Sequence, residues 1–142
     1  MKNDQPICIS FYTKNGRYPK KAKVLEKSLK LFKLKYHLVP LNKDFDTWLD
    51  AVFYKATFIF DSLLKFRSSV VWLDIDNEIW QFPSLLFKDN DFAIYNWFAD
   101  QDHHLDGKID YSPNSKKLLC SGGVQKYGYT APSMHLLLHW IN

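Results

Sequence analysis

Glycine and cysteine are scarce in this chain of 142 residues, which holds five glycines and two cysteines. Only Gly16 follows the first apolar run, so the glycine-rich turn of a dinucleotide-binding dehydrogenase and the phosphate loop of an NTPase are both excluded. Cys8 and Cys120 lack the spacing of metal ligands and read as reduced thiols in buried strands. Apolar stretches are broken by Lys, Asp or Arg well before the roughly 20 residues of a membrane span. Residues 1–6 contain no apolar core of a secretory leader. Internal repeats and low-complexity segments are absent as well. These absences point to a soluble, cytoplasmic protein.

What the chain does have is apolar and aromatic mass. Hydrophobic residues make up 46% and aromatics 17%, too much for a disordered polymer. The length suits a single domain, residues 1–142, with a sizeable core. Charge is uneven. Residues 1–43 carry eleven Lys/Arg against two acidic side chains, whereas 44–142 carry eight basic and thirteen acidic ones. A basic N-terminal half would suit a phosphate-bearing ligand or peripheral contact with an anionic membrane. The lysines of residues 20–35 fall between apolar positions, however, as a solvated helix face requires. Nucleic-acid binding would rest on charge alone and is not expected.

Hydrophobic period sets the elements. Strands are predicted at 7–12, 36–41, 68–73 and 91–97, and extended chain around 117–127. Helices are predicted at 19–33, 48–66 and 132–141, with a short one from 82 to 87. Residues 99–117 form a polar loop containing His103 and His104. Strands alternating with helices predict an α/β fold, a Rossmann-like three-layer sandwich on a mainly parallel sheet. In such sheets ligands bind outside the carboxyl ends of the strands. The turn at 11–15, the segment 74–77 and the loop after Trp97 all belong there.

Asp74-Ile75-Asp76 is the chemical centre of this reading. Two carboxylates one residue apart, just past Val70-Val71-Trp72-Leu73, can be brought onto one hard cation, and oxygen ligands suit Mn²⁺ or Mg²⁺. Two solvated turn carboxylates are the bland alternative.

The run from Val70 through Asp74-Ile75-Asp76-Asn77-Glu78-Ile79-Trp80-Gln81-Phe82-Pro83 resembles the D-x-D segment of GT-A nucleotide-diphospho-sugar transferases. Lys55-Ala56-Thr57, Phe11-Tyr12-Thr13 and Cys120-Ser121-Gly122-Gly123-Val124 are similar to further stretches of that family, in order along the chain. The resemblance implies a glycosyltransferase that moves a sugar from a nucleotide-diphosphate donor, UDP first, to a hydroxyl acceptor with retention. It implies Asp74 and Asp76 as metal ligands, Asp76 the more direct, with Asp74 also reaching ribose. Phe11, Tyr12, Thr13 and Asn15 would receive base and ribose, and Lys55 the phosphates. Ser121, Gly122 and Gly123 would let backbone approach the sugar or acceptor, or mark a bulge. The catalytic base is not identified.

The chain departs from the family at its end. Family members draw another metal ligand, often His, and acceptor-binding groups from beyond the helix that here ends at Asn142. His103 and His104 could substitute, although adjacent loop histidines are usually solvated; His135 and His139 read as surface or packing residues. Two other functions stay open. A haloacid-dehalogenase-type phosphatase also places D-x-D after an apolar strand, with the first Asp as nucleophile. Its motif usually sits on the first strand and continues with Thr or a small residue, whereas Asn77-Glu78 follow here. A non-catalytic nucleotide-sugar-binding or scaffold domain would fit the short chain and its basic face.

Overall fold

The structure is a computed structural model and describes residues 5–96 and 120–142. The elements are β1 (Ile7–Thr13), α1 (Tyr18–Leu31), β2 (Tyr36–Leu41), α2 (Trp48–Phe66), β3 (Val70–Leu73), a 3₁₀ turn (Ser84–Phe87), β4 (Phe92–Asn96), β5 (Cys120–Tyr127) and α3 (Ala131–Ile141). The strands form one sheet in the order β2-β1-β3-β5-β4. β2 and β3 both run parallel to β1, while β5 runs antiparallel to β3 and to β4. The fold is therefore α/β with a mostly parallel sheet, as expected, except that β5 opposes its neighbours. The polar loop at 99–117, with His103 and His104, lies outside the described residues.

Alternation along β1 and β3 divides the core. Cys8, Val71 and Leu73 face α1 and meet Ala22, Leu25 and Leu29. Ile9, Val70 and Trp72 face the other way and meet Ala56, Phe58, Ile59 and Leu63 of α2 and Leu137 of α3. All four residues of β3 are buried, as a central strand packed on both faces demands. Each fully buried Leu or Ile contributes on the order of 1.5–3 kcal/mol.

Local sequence starts and stops the helices. Thr47 caps α2: its hydroxyl accepts from the Asp50 N–H at 3.2 Å, and the Asp50 carboxylate accepts from the Thr47 N–H at 2.9 Å. This reciprocal pair satisfies two of the free N–H groups at the helix start. Arg67 ends α2 in a left-handed conformation, φ 48°. Gly16, at φ 67°, makes the turn between β1 and α1, where a side chain would strain the backbone.

Candidate functional site

A cavity of about 710 Å³ opens at the carboxyl edge of the parallel strands. Its walls come from four places: the end of β1, the start of α1 at Arg17 and Tyr18, the link 44–47 with the first turns of α2, and Trp72 with the segment after β3. Phe11, Tyr12, Thr13, Lys55, Asp74 and Asp76 all line it. Residues far apart in sequence thus converge because every parallel β-α unit ends at the same edge of the sheet.

A turn just past β3 brings the two aspartates to the cavity. Ile75, between them, is 7% exposed, packs on the α1-side core and also contributes to the cavity wall. A tight turn holds this arrangement. The Asn77 N–H donates to the Asp74 carbonyl at 2.9 Å, and the Asn77 side-chain amide donates to that carbonyl at 3.0 Å and to the Gly123 carbonyl at 2.9 Å. The Asp74 N–H also donates to Gly123 O, at 2.9 Å.

The two carboxylates differ in their surroundings. Asp74 Oδ1 accepts from Trp72 Nε1 at 2.7 Å and pairs with Lys55 Nζ at 3.0 Å. Lys55 is a wall residue: its side chain is 11% exposed, and Nζ also donates to Gly122 O at 3.1 Å. Asp76 is exposed, and its carboxylate has no hydrogen bond or ion pair among the described residues. One aspartate is clamped and charge-compensated; the other carboxylate is exposed and unpaired among the described residues.

Aromatic packing builds the cavity's inner wall. The Phe11 ring lies 5.1 Å from Tyr54 and 5.3 Å from Phe58, both edge-on, and 5.1 Å from Trp72. Phe11 is thus a packing residue as well as a lining one. Tyr12 lines the cavity and rests on the α1-side core.

Three expected residues, Asn15, Gly122 and Gly123, are not in the lining. The Asn15 side chain donates to the Asp44 carboxylate and shapes the rim instead. Gly122 and Gly123 offer carbonyls to Lys55, Asp74 and Asn77, so they brace the site from behind. Ser121 lies in β5 where its register against β4 shifts, between the Ile94–Gln125 and Asn96–Cys120 pairs. The two exposed histidines of α3, His135 and His139, stand away from the cavity wall.

Sequence reasoning passed over Trp72, Arg17 and the link 44–47. Trp72 reads as part of a buried strand. The link follows β2, so the strand-end rule that selected 11–15 and 74–77 would also have selected it. Among the described residues, no group of three or more His, Cys, Asp or Glu side chains could hold a metal.

In comparisons with known proteins, no family model and no curated protein matches this chain. Its fold is similar to that in the crystal structure of a glycosyltransferase involved in glycosylation of the major capsid of PBCV-1. The TM-score is 0.59 at 16% identity, and the match covers 95% of this chain and 65% of that one. The likeness is one of fold, and the chain spans 65% of that neighbour's length.

Proposed function

We propose that this chain carries the donor-binding core of a metal-dependent glycosyltransferase of GT-A, Rossmann-like three-layer type. One observation carries the reading. Asp74 and Asp76, at the carboxyl end of β3, open into a cavity of about 710 Å³ walled by the end of β1 and the start of α2. That volume suits a nucleotide-sugar. The fold shared with a glycosyltransferase agrees with it.

Charge in the cavity supports a role for a cation. Asp44, Asp46, Asp74 and Asp76 line it against Arg17 and Lys55. A bare diphosphate would meet net repulsion there, whereas a diphosphate carrying a divalent cation would not. The donor set fits Mn²⁺ or Mg²⁺: Asp76 supplies a carboxylate with no partner among the described residues, and Asp74 retains Oδ2. When bound, such an ion supplies Lewis-acid neutralisation of the leaving diphosphate. Lys55, already against Asp74, adds a positive charge beside the phosphates. Phe11, Tyr12 and Thr13 receive the base and ribose, with UDP the first donor considered.

The bond that breaks joins the anomeric carbon to the diphosphate oxygen. The bond that forms joins that carbon to an acceptor hydroxyl oxygen, whose proton passes to the departing diphosphate. Nucleoside diphosphate leaves.

Calorimetric titration with UDP-glucose and UDP-galactose, with and without Mn²⁺, tests the reading. Binding is expected to need both the ion and Asp76. Mn²⁺-dependent affinity that survives in Asp76→Asn would overturn the metal assignment. Phosphate release from a generic monoester, with no donor binding, would favour the phosphatase chemistry instead.

A further inference from the structure

Trp72 has an assignment that its place in a central strand conceals. It is 3% exposed, wedged between the Phe11 ring at 5.1 Å and the Phe58 ring at 6.0 Å, so its indole cannot swing. Positions i and i+2 of an extended chain share a face, and Trp72 Nε1 thereby reaches Asp74 Oδ1 at 2.7 Å. Lys55 Nζ meets that same oxygen at 3.0 Å and sits 4.9 Å above the indole ring. The indole therefore fixes Asp74 by its N–H edge and steadies Lys55 by its face. Oδ2 of Asp74 has no partner among the described residues.

We propose that Trp72 is a positioning residue for donor binding: its indole N–H sets the rotation of the Asp74 carboxylate so that Oδ2 is presented to the bound nucleotide-sugar. The proposal rests on the donor-site reading given above. The physical reason is preorganisation. Lys55 alone, on a flexible four-carbon stem, leaves the carboxylate free to turn, and ordering it at the moment of binding weakens affinity. A rigid donor on a buried ring has already removed that freedom.

The test uses UDP-glucose with Mn²⁺ and calorimetry on the whole chain. Trp72→Phe retains an aromatic ring in the core and removes the N–H. It is expected to weaken donor affinity about tenfold, the order of one hydrogen bond to a charged group, while binding still requires Mn²⁺. Because Trp72 acts through Asp74, the substitution should cost nothing further in an Asp74→Ala background, an outcome a general packing defect would not give. Unchanged affinity in Trp72→Phe, or the same tenfold loss with Asp74 already gone, overturns the proposal. A second readout needs no Trp72 variant. The Trp72 indole N–H resonance of the native chain should move on titration with UDP-glucose and Mg²⁺, and stay still in Asp74→Ala; a motionless native resonance overturns the proposal. A native chain that binds no donor defeats the donor-site reading and this inference together. Native binding with an indifferent Trp72→Phe defeats the Trp72 role alone.

Discussion

The two faces of the sheet are built from different materials. On the α1 side the core is mostly aliphatic, with Leu25, Leu29, Leu34, Val71, Leu73 and the thiol of Cys8. On the α2 side, aromatic rings crowd β1 and β3: Phe11, Phe58, Trp72, Tyr54 and Tyr127. The aliphatic side contributes mainly burial, and only its edge at Tyr12 and Ile75 reaches the cavity. The aromatic side has shape and polar edges, and it continues into the cavity, where Trp72 and Lys55 hold Asp74. A single strand, β3, serves both, because its even residues face α2 and its odd ones face α1. Stability and binding are thereby separated by residue parity, and substitutions can pull them apart.

The largest expected effect falls on the aliphatic side. Leu29, fully buried, should lose about 3 kcal/mol of unfolding free energy when truncated to alanine, from lost transfer and the cavity left behind. Urea unfolding reads this. Donor affinity measured on the folded fraction should not change, and a matching loss of affinity would break the separation. Asp76→Asn is the converse. As an exposed residue it should alter stability by less than about 0.5 kcal/mol. On the proposed metal role of Asp76, its Mn²⁺-dependent donor affinity should fall about a hundredfold.

Thr47→Ala sharpens the comparison at the seam. Thr47 caps α2 and also lines the cavity. Loss of the cap should cost about 1 kcal/mol, seen as a lower thermal midpoint. A midpoint equal to the native one would show that the cap is redundant.

The effect at Cys8 depends on pH. Burial pushes its thiol up to about 12 from an ordinary 9.0. The folded thiol keeps its proton where the unfolded one releases it. The stability this difference contributes is complete below pH 9 and is lost as pH rises toward 12. Between pH 8 and pH 10 the native chain should therefore lose more unfolding free energy than Cys8→Ala. Equal losses would show that other groups govern the alkaline limb.

Much of the fold was legible because the signals were local. The apolar periods behind the helices predicted at 19–33 and 48–66 each report on a few neighbouring residues, and α1 and α2 stand close to where those patterns put them. The direction of β5 was not legible, since apolar content in Val124-Gln125-Lys126-Tyr127 is the same whichever way the strand runs. Within the candidate site, Asp74 and Asp76 were found from their position after an apolar strand. Trp72 was missed because a tryptophan in a buried strand announces packing, and its N–H partner is only visible once Asp74 is folded beside it. Gly122 and Gly123 read as a close backbone approach or a bulge, and their bracing contacts were not legible. Their carbonyls turn toward Lys55, Asn77 and the Asp74 N–H, a fact of sheet pairing between β3 and β5.

The sequence by itself determined the alternation of strands and helices, the two sides of β3, and a pair of carboxylates at a strand end. These depend on the period of side chains along a backbone, which is written residue by residue. Only the tertiary structure decided which of the pair is clamped. Asp74 meets Trp72, Lys55 and Gly123, while Asp76 keeps an exposed carboxylate with no partner among the described residues. That asymmetry needs residues 19 and 49 positions from Asp74 to arrive within about 3 Å of it, and such distances are set by how the sheet and α2 pack.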